Sequence, residues 1–177
     1  MSFTSVAFLV FLPVVWAIYW CLRRREWQNL LLVCASYVFY GWWDARFCVL
    51  MLTSSLVDYG LGLALGRSAP DSETGTGFRR RRLLLALSLA ANLGLLGVFK
   101  YFGFFVDSFQ AAATLLGWSP GALTLEIILP VGISFYTFQT LSYTIDIYRG
   151  RLQPTRNLVD YLAFVSFFPQ LVAGPIE

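Results

Sequence analysis

Long uncharged runs alternate with short basic or polar breaks along the whole chain. A helix needs about 20 apolar residues to cross a hydrocarbon core of roughly 30 Å, and several runs approach or meet that length. Residues 3–22 carry no charge and stop at Arg23, Arg24 and Arg25. A secretory signal peptide places its positive charge before the apolar run, so this order predicts a retained first span. Residues 27–43 form a second run, closed by Gly41 and the interfacial pair Trp42 and Trp43, with a polar turn at Asp44 to Arg46. Residues 47–65 form a third, containing Asp58 and approaching the small-residue pair Gly62 and Gly66. Residues 67–82 are the clearly hydrophilic stretch, predicted as a cytoplasmic linker. A fourth span is predicted over 83–106, where Lys100 can snorkel and Ala86, Ala90 and Gly94 would admit a neighbouring helix. An amphipathic connection over 107–126 precedes a fifth span at 127–147. The segment 158–176 is long enough to cross, but Pro169, Gly174 and Pro175 predict a broken or re-entrant helix. The expected fold class is all-α: a polytopic membrane protein of about five transmembrane helices plus that broken helix, in one domain.

Composition supports lipid as the solvent. Hydrophobic residues make up 58%, charged residues 13% and aromatics 18%, and mean hydropathy is +0.65. A chain of 20.0 kDa cannot hide that much apolar surface in a core of its own. Every Lys and Arg except Arg46 and Lys100 falls after the first, third or fifth span. Such an excess marks cytoplasmic loops and predicts an extracytoplasmic amino terminus. Topological anchoring is the plain reading of these arginines, and specific lipid or polymer binding the sharper one. The net charge of +3 is too small and too scattered for nucleic acid binding.

The chain contains no His, which removes imidazole as metal ligand, general base or proton shuttle within these residues. Cys21, Cys34 and Cys48 form no ligand pair and read as buried thiols, so no metal site is expected. Gly75 to Gly77 follows no strand and does not make a phosphate loop.

Polar residues inside the spans cost energy and need a reason. Tyr136, Gln139, Tyr143 and Asp146 share one face of the fifth span, with Ser134, Thr137, Thr140 and Thr144 nearby. They line a substrate path, or they lock the bundle by hydrogen bonds between helices; both readings stand on sequence. Asp58 calls for a neutralising partner or protonation, with packing or ion pairing weighed above proton relay. The breaks at Pro169, Gly174 and Pro175 free backbone groups at membrane depth and mark either a site or a structural kink.

Five stretches carry a family resemblance: S-Y-V-F-Y-G-W-W (36–43), S-S-L-V-D-Y-G-L-G (54–62), N-L-G-L-L-G-V-F-K-Y-F-G-F-F (92–105), L-P-V-G-I-S-F-Y-T-F-Q-T-L-S-Y-T-I-D-I-Y-R-G (129–150) and F-F-P-Q-L-V-A-G-P-I (167–176). In their order and spacing the chain resembles the membrane-bound O-acyltransferases, in the bacterial branch that serves alginate O-acetylation. The last two stretches are the specific ones. The resemblance implies a ring of helices around a thin centre, bordered by Tyr136, Gln139, Tyr143, Asp146, Pro169, Gln170, Gly174 and Pro175. It implies transfer of acetyl from a cytoplasmic donor such as acetyl-CoA to a hydroxyl of an extracytoplasmic polysaccharide. The implied setting is a bacterial inner membrane, with extracytoplasmic polysaccharide-acetylation proteins as partners.

One departure is large. The family places its catalytic His after the G-P-I segment, a position that would lie beyond Glu177, so no catalytic residue carries over to this sequence. The expectation is an N-terminal part of such an enzyme, inactive alone. A transporter or channel fragment, or a non-catalytic interaction subunit, would use the same polar stripe. No repeat relates the two halves, which removes one transporter cue.

Overall fold

A computed structural model describes residues 6–42, 44–67, 76–115 and 132–172 of the chain. Every regular element among them is helical. The expectations at Trp43, Pro130, Gly174, Pro175 and residues 68–75 lie outside the described residues. Glu177, beyond which the catalytic His is expected, lies outside them as well, so the described residues do not bear on that expectation.

Helices α1 (Val6–Cys21) and α2 (Arg25–Gly41) form a hairpin. The Gln28 side-chain amide in α2 donates to the carbonyls of Tyr19 and Leu22, at 3.2 and 2.9 Å, satisfying acceptors that the end of α1 leaves open. Helix α3 (Ala45–Gly66) starts at Asp44, whose carboxylate accepts from the Arg46 N–H at 2.9 Å as an N-cap. Helix α4 (Thr76–Leu96) passes through a π-helical turn (Gly97–Tyr101) into α5 (Phe102–Leu115). Helix α6 (Ile133–Tyr148) is followed by α7 (Leu158–Ser166) and the short α8 (Phe168–Val172).

Local chemistry fixes both ends of α6. Gly132 precedes it with φ of +76°, and a Cβ there would stand 2.6 Å from the Tyr40 hydroxyl and 2.8 Å from the Leu171 carbonyl oxygen. Only glycine meets both demands. At the other end Gly150 adopts φ of +71°, its N–H bonding Ile147 O while the Arg151 N–H bonds Asp146 O, the paired bonds of a Schellman cap.

Helices α3, α4 and α6 pack on one another, and α2 packs on α7 and α3. The Gly62 and Gly66 pair lets its neighbours approach closely. A Cβ at Gly62 would meet Tyr143 at 3.1 Å and Ile147 at 3.3 Å, and one at Gly66 would overlap the Pro154 ring. Ala86, Ala90 and Gly94 instead face outward, and nothing lies within 4 Å of a Cβ at Gly94. Cys21 and Cys34 are exposed, correcting their reading as buried thiols, and all three Cys are free.

The helix that holds the predicted fourth span, 83–106, extends beyond it at both ends. Gly77 to Leu115 is a single apolar helix of 39 residues, about 58 Å at 1.5 Å per residue. Asp107 and Gln110 lie within the helix and do not end it, because a helix surface carries polar residues without breaking. Gly77–Leu115 and Ala45–Gly66 are the two described helices long and apolar enough to cross a membrane. Val6–Cys21 and Leu158–Leu171 are shorter apolar helices. The outer surface is apolar to match: Trp16, Trp20, Phe104 and Phe105 are all exposed, a burden that lipid removes.

Candidate functional site

The predicted break in the last segment occurs at Phe167, where ψ of 104° leaves the helical range between α7 and α8. A break frees backbone N–H groups, and the Ser36 hydroxyl of α2 accepts one of them from Phe168 at 3.2 Å. The Phe168 ring is buried among Phe8, Phe11 and Phe39, with centroid distances of 6.5, 5.6 and 5.3 Å. Pro169 is half-buried and Gln170 exposed. Proline sits in the first turn of α8, where its missing donor has no partner to lose.

Helix α6 brings the predicted stripe against this segment. Gln139 donates from Nε2 to the Phe164 carbonyl at 2.7 Å, just before the break. Tyr143 stacks 5.0 Å from Tyr161 and 6.4 Å from Phe164, and its hydroxyl accepts from the Thr155 N–H at 3.1 Å. Tyr136 is fully buried. Asp146 is half-buried at the end of the helix, where its carbonyl serves the Schellman cap. The stripe thus supplies hydrogen bonds to α7 and to the loop before it, yet buried polar atoms remain without partners along it. These are the Tyr136 hydroxyl, the Thr137 Oγ1, the Gln139 Oε1 and, across the interface, the Tyr161 hydroxyl. Buried polar groups are nearly always satisfied, so this interface has hydrogen-bonding capacity left for water or a polar ligand.

The neighbouring face of α6 meets Asp58. Its carboxylate accepts from the Ser88 hydroxyl at 2.8 Å and from the Asn92 side-chain amide at 2.9 and 2.8 Å. Thr140 donates to the Asn92 Oδ1 at 3.0 Å, and Ser88 bonds Thr144 at 3.4 Å. Asp58, Ser88, Asn92, Thr140 and Thr144 are all buried. Neutral donors hold the carboxylate, which supports the packing role over an ion pair. Ser88 and Asn92 were not singled out from sequence, although two polar residues four apart in an apolar span were a usable signal.

Outside the spans, Arg46 hydrogen-bonds the Asp44 carboxylate, at 2.8 Å in the closest contact, and holds it below the usual carboxylate range. No group of three or more His, Cys, Asp or Glu among the described residues could hold a metal.

Similarity to known proteins follows the same lines. Over 99% of its length the chain is 44% identical to a protein named probable alginate O-acetylase AlgI from Pseudomonas aeruginosa, covering 32% of that protein. It is 43% identical, again over 99% of its length, to the protein of the same name from Pseudomonas syringae pv. tomato, covering 33% of it. A peptidoglycan O-acetyltransferase from Helicobacter pylori is 33% identical over 98% of the chain and 36% of its own length. The chain spans about a third of the length of these curated relatives. No family model and no solved structure matches it. The resemblance drawn from the motifs holds: the chain is a homologue of bacterial O-acetyltransferases.

Proposed function

We propose that this homologue of the alginate O-acetylases is part of a multi-pass inner-membrane enzyme that moves acetyl groups onto an extracytoplasmic polysaccharide. The observation that carries this reading is 43–44% identity over 99% of the chain to proteins so named. In the proposed reaction a polysaccharide hydroxyl attacks the acetyl carbonyl of a donor such as acetyl-CoA. A base takes the hydroxyl proton, and the donor's leaving group departs with the bonding electrons. With no His in the sequence, we assign the base to residues beyond these or to a partner protein. This chain's contribution is the wall: α6 and the broken α7–α8 segment border the path, and the unpaired polar atoms at Tyr136, Gln139 and Tyr161 face it. About five spans, with the amino terminus extracytoplasmic, would put the arginine clusters in the cytoplasm.

The test is deletion of the gene in its host, followed by assay of base-labile acetate on alginate and on peptidoglycan. Loss of acetate from one polymer, restored by the intact gene, identifies the acceptor. Unchanged acetate on both polymers sinks the proposal. The purified 177-residue chain, given donor and acceptor, is expected to show no turnover.

A further inference from the structure

The break at Phe167 frees carbonyls as well as N–H groups, and their partners can be followed one by one. In an unbroken helix the carbonyls of Phe164, Val165 and Ser166 would accept from residues 168, 169 and 170. The Phe168 N–H goes instead to the Ser36 hydroxyl, and the Gln139 amide takes its place on the Phe164 carbonyl. Residue 169 is proline and has no N–H to give to Val165. The Gln170 N–H turns to the Phe167 carbonyl at 3.1 Å, which leaves Ser166 without it. The carbonyls of Val165 and Ser166 therefore have no hydrogen-bond donor among the described residues. Both residues are buried, at 0% and 1% exposed. Orphaned carbonyls are uncommon in such places, and two adjacent ones are more so.

The facing helix brings an unpaired hydroxyl to the same level. Gly132 lies against Leu171, Gln139 against Phe164 and Tyr143 against Tyr161, so α6 runs antiparallel to the α7–α8 segment. Tyr136 shares the helix face of Gly132, Gln139 and Tyr143, and falls between the first two. That register sets it level with the break. Its side chain is 1% exposed and its hydroxyl has no partner.

One donor and two acceptors are thus buried together at the break. A water molecule matches that set: it accepts from the Tyr136 hydroxyl and donates one proton to each carbonyl. The resulting bonds reach the usual count of about three for a buried water. We propose that the break at Phe167 binds an ordered water held by the Tyr136 hydroxyl and the carbonyls of Val165 and Ser166. The break is then fixed from two sides, with Ser36 taking the freed N–H and the water taking the freed carbonyls. This site does not depend on the acyl-transfer reading.

The experiment pairs radiolytic hydroxyl-radical labelling with thermal unfolding, both on the detergent-purified full-length protein. Radicals formed from a bound water attack the side chains beside it, so a buried residue at the site takes up label. With labelling at each residue normalised to the denatured chain, Tyr136 is expected to label well above Leu65, which is equally buried at the end of α3. Tyr136→Phe is expected to lower the melting midpoint by about 2–4 °C, because it strips one hydrogen bond from the water. Without the water, the same substitution deletes a buried unpaired hydroxyl, and the midpoint would hold or rise. Tyr136 labelling no higher than Leu65, or an unchanged or raised midpoint in Tyr136→Phe, overturns the proposal.

Discussion

Two neighbouring faces of α6 carry similar polar residues and treat them differently. Toward α3 and α4, Thr140 and Thr144 join Asp58, Ser88 and Asn92 in a network that gives the carboxylate three hydrogen bonds from two side chains. Toward α7, Gln139 bonds the Phe164 carbonyl of that helix and Tyr143 bonds the Thr155 N–H of the loop before it, while Gln139 Oε1 and the Tyr136 and Tyr161 hydroxyls make none. A satisfied network in a low-dielectric interior holds helices in register. An unsatisfied one loses stability that only a bound water or ligand returns. Thr137 Oγ1, beside Thr140 and Thr144, is unpaired too, so the contrast rests on the bonds to Asp58: the first face is a clasp, and the second is the proposed wall of a path.

The sharpest way to break this comparison is to cut the clasp. Asn92→Leu leaves the Asp58 carboxylate buried with one donor, and should cost about 3 kcal/mol or more. Folded protein should fall steeply in detergent size-exclusion chromatography, with activity lost in proportion. Gly132→Ala is next: it forces a side chain into the left-handed region and against both Tyr40 and Leu171. Overpacking and strain together should cost about 2 kcal/mol or more, read as a lowered melting midpoint.

Gln139→Leu sharpens the other side of the comparison. It loses one bond to Phe164 but also removes an unpaired acceptor, so stability should change by no more than about 1 kcal/mol. In the full-length protein, acetylation should nevertheless fall severely while membrane expression stays near normal. Loss of folded protein matching that of Asn92→Leu would make both faces clasps. The smallest effect is expected at Asp44. Arg46 depresses its folded-state pKa, so any stabilisation is present above the usual carboxylate range and is lost as pH falls through the lowered value. Arg46 is exposed and Asp44 half-buried, and Asp44→Asn, which preserves the cap, should leave the melting midpoint unchanged between about pH 7 and about pH 5.

Most helix positions were legible because membrane length, charge and caps are local signals. The prediction of 47–65 became Ala45–Gly66, and the broken last helix broke at Phe167, two residues before Pro169. The helix that holds the predicted fourth span runs on past Asp107, where a connection was expected, because a polar side chain on a helix surface leaves the backbone hydrogen bonds intact. The small residues show the same limit. Gly62 and Gly66 seat α6 and Pro154, but Ala86, Ala90 and Gly94, equally well spaced, face outward.

The sequence by itself determined that the chain is helical and apolar, where the polar residues of each helix lie around its axis, and that no imidazole is available within it. Those properties follow from composition and from the 3.6-residue period. Only the tertiary structure decided that Ser88 and Asn92 neutralise the demand of Asp58 and that Ser36 serves the break at Phe167. Each of these joins helices whose relative rotation and depth are set by packing across the bundle, and no periodicity within one helix records that.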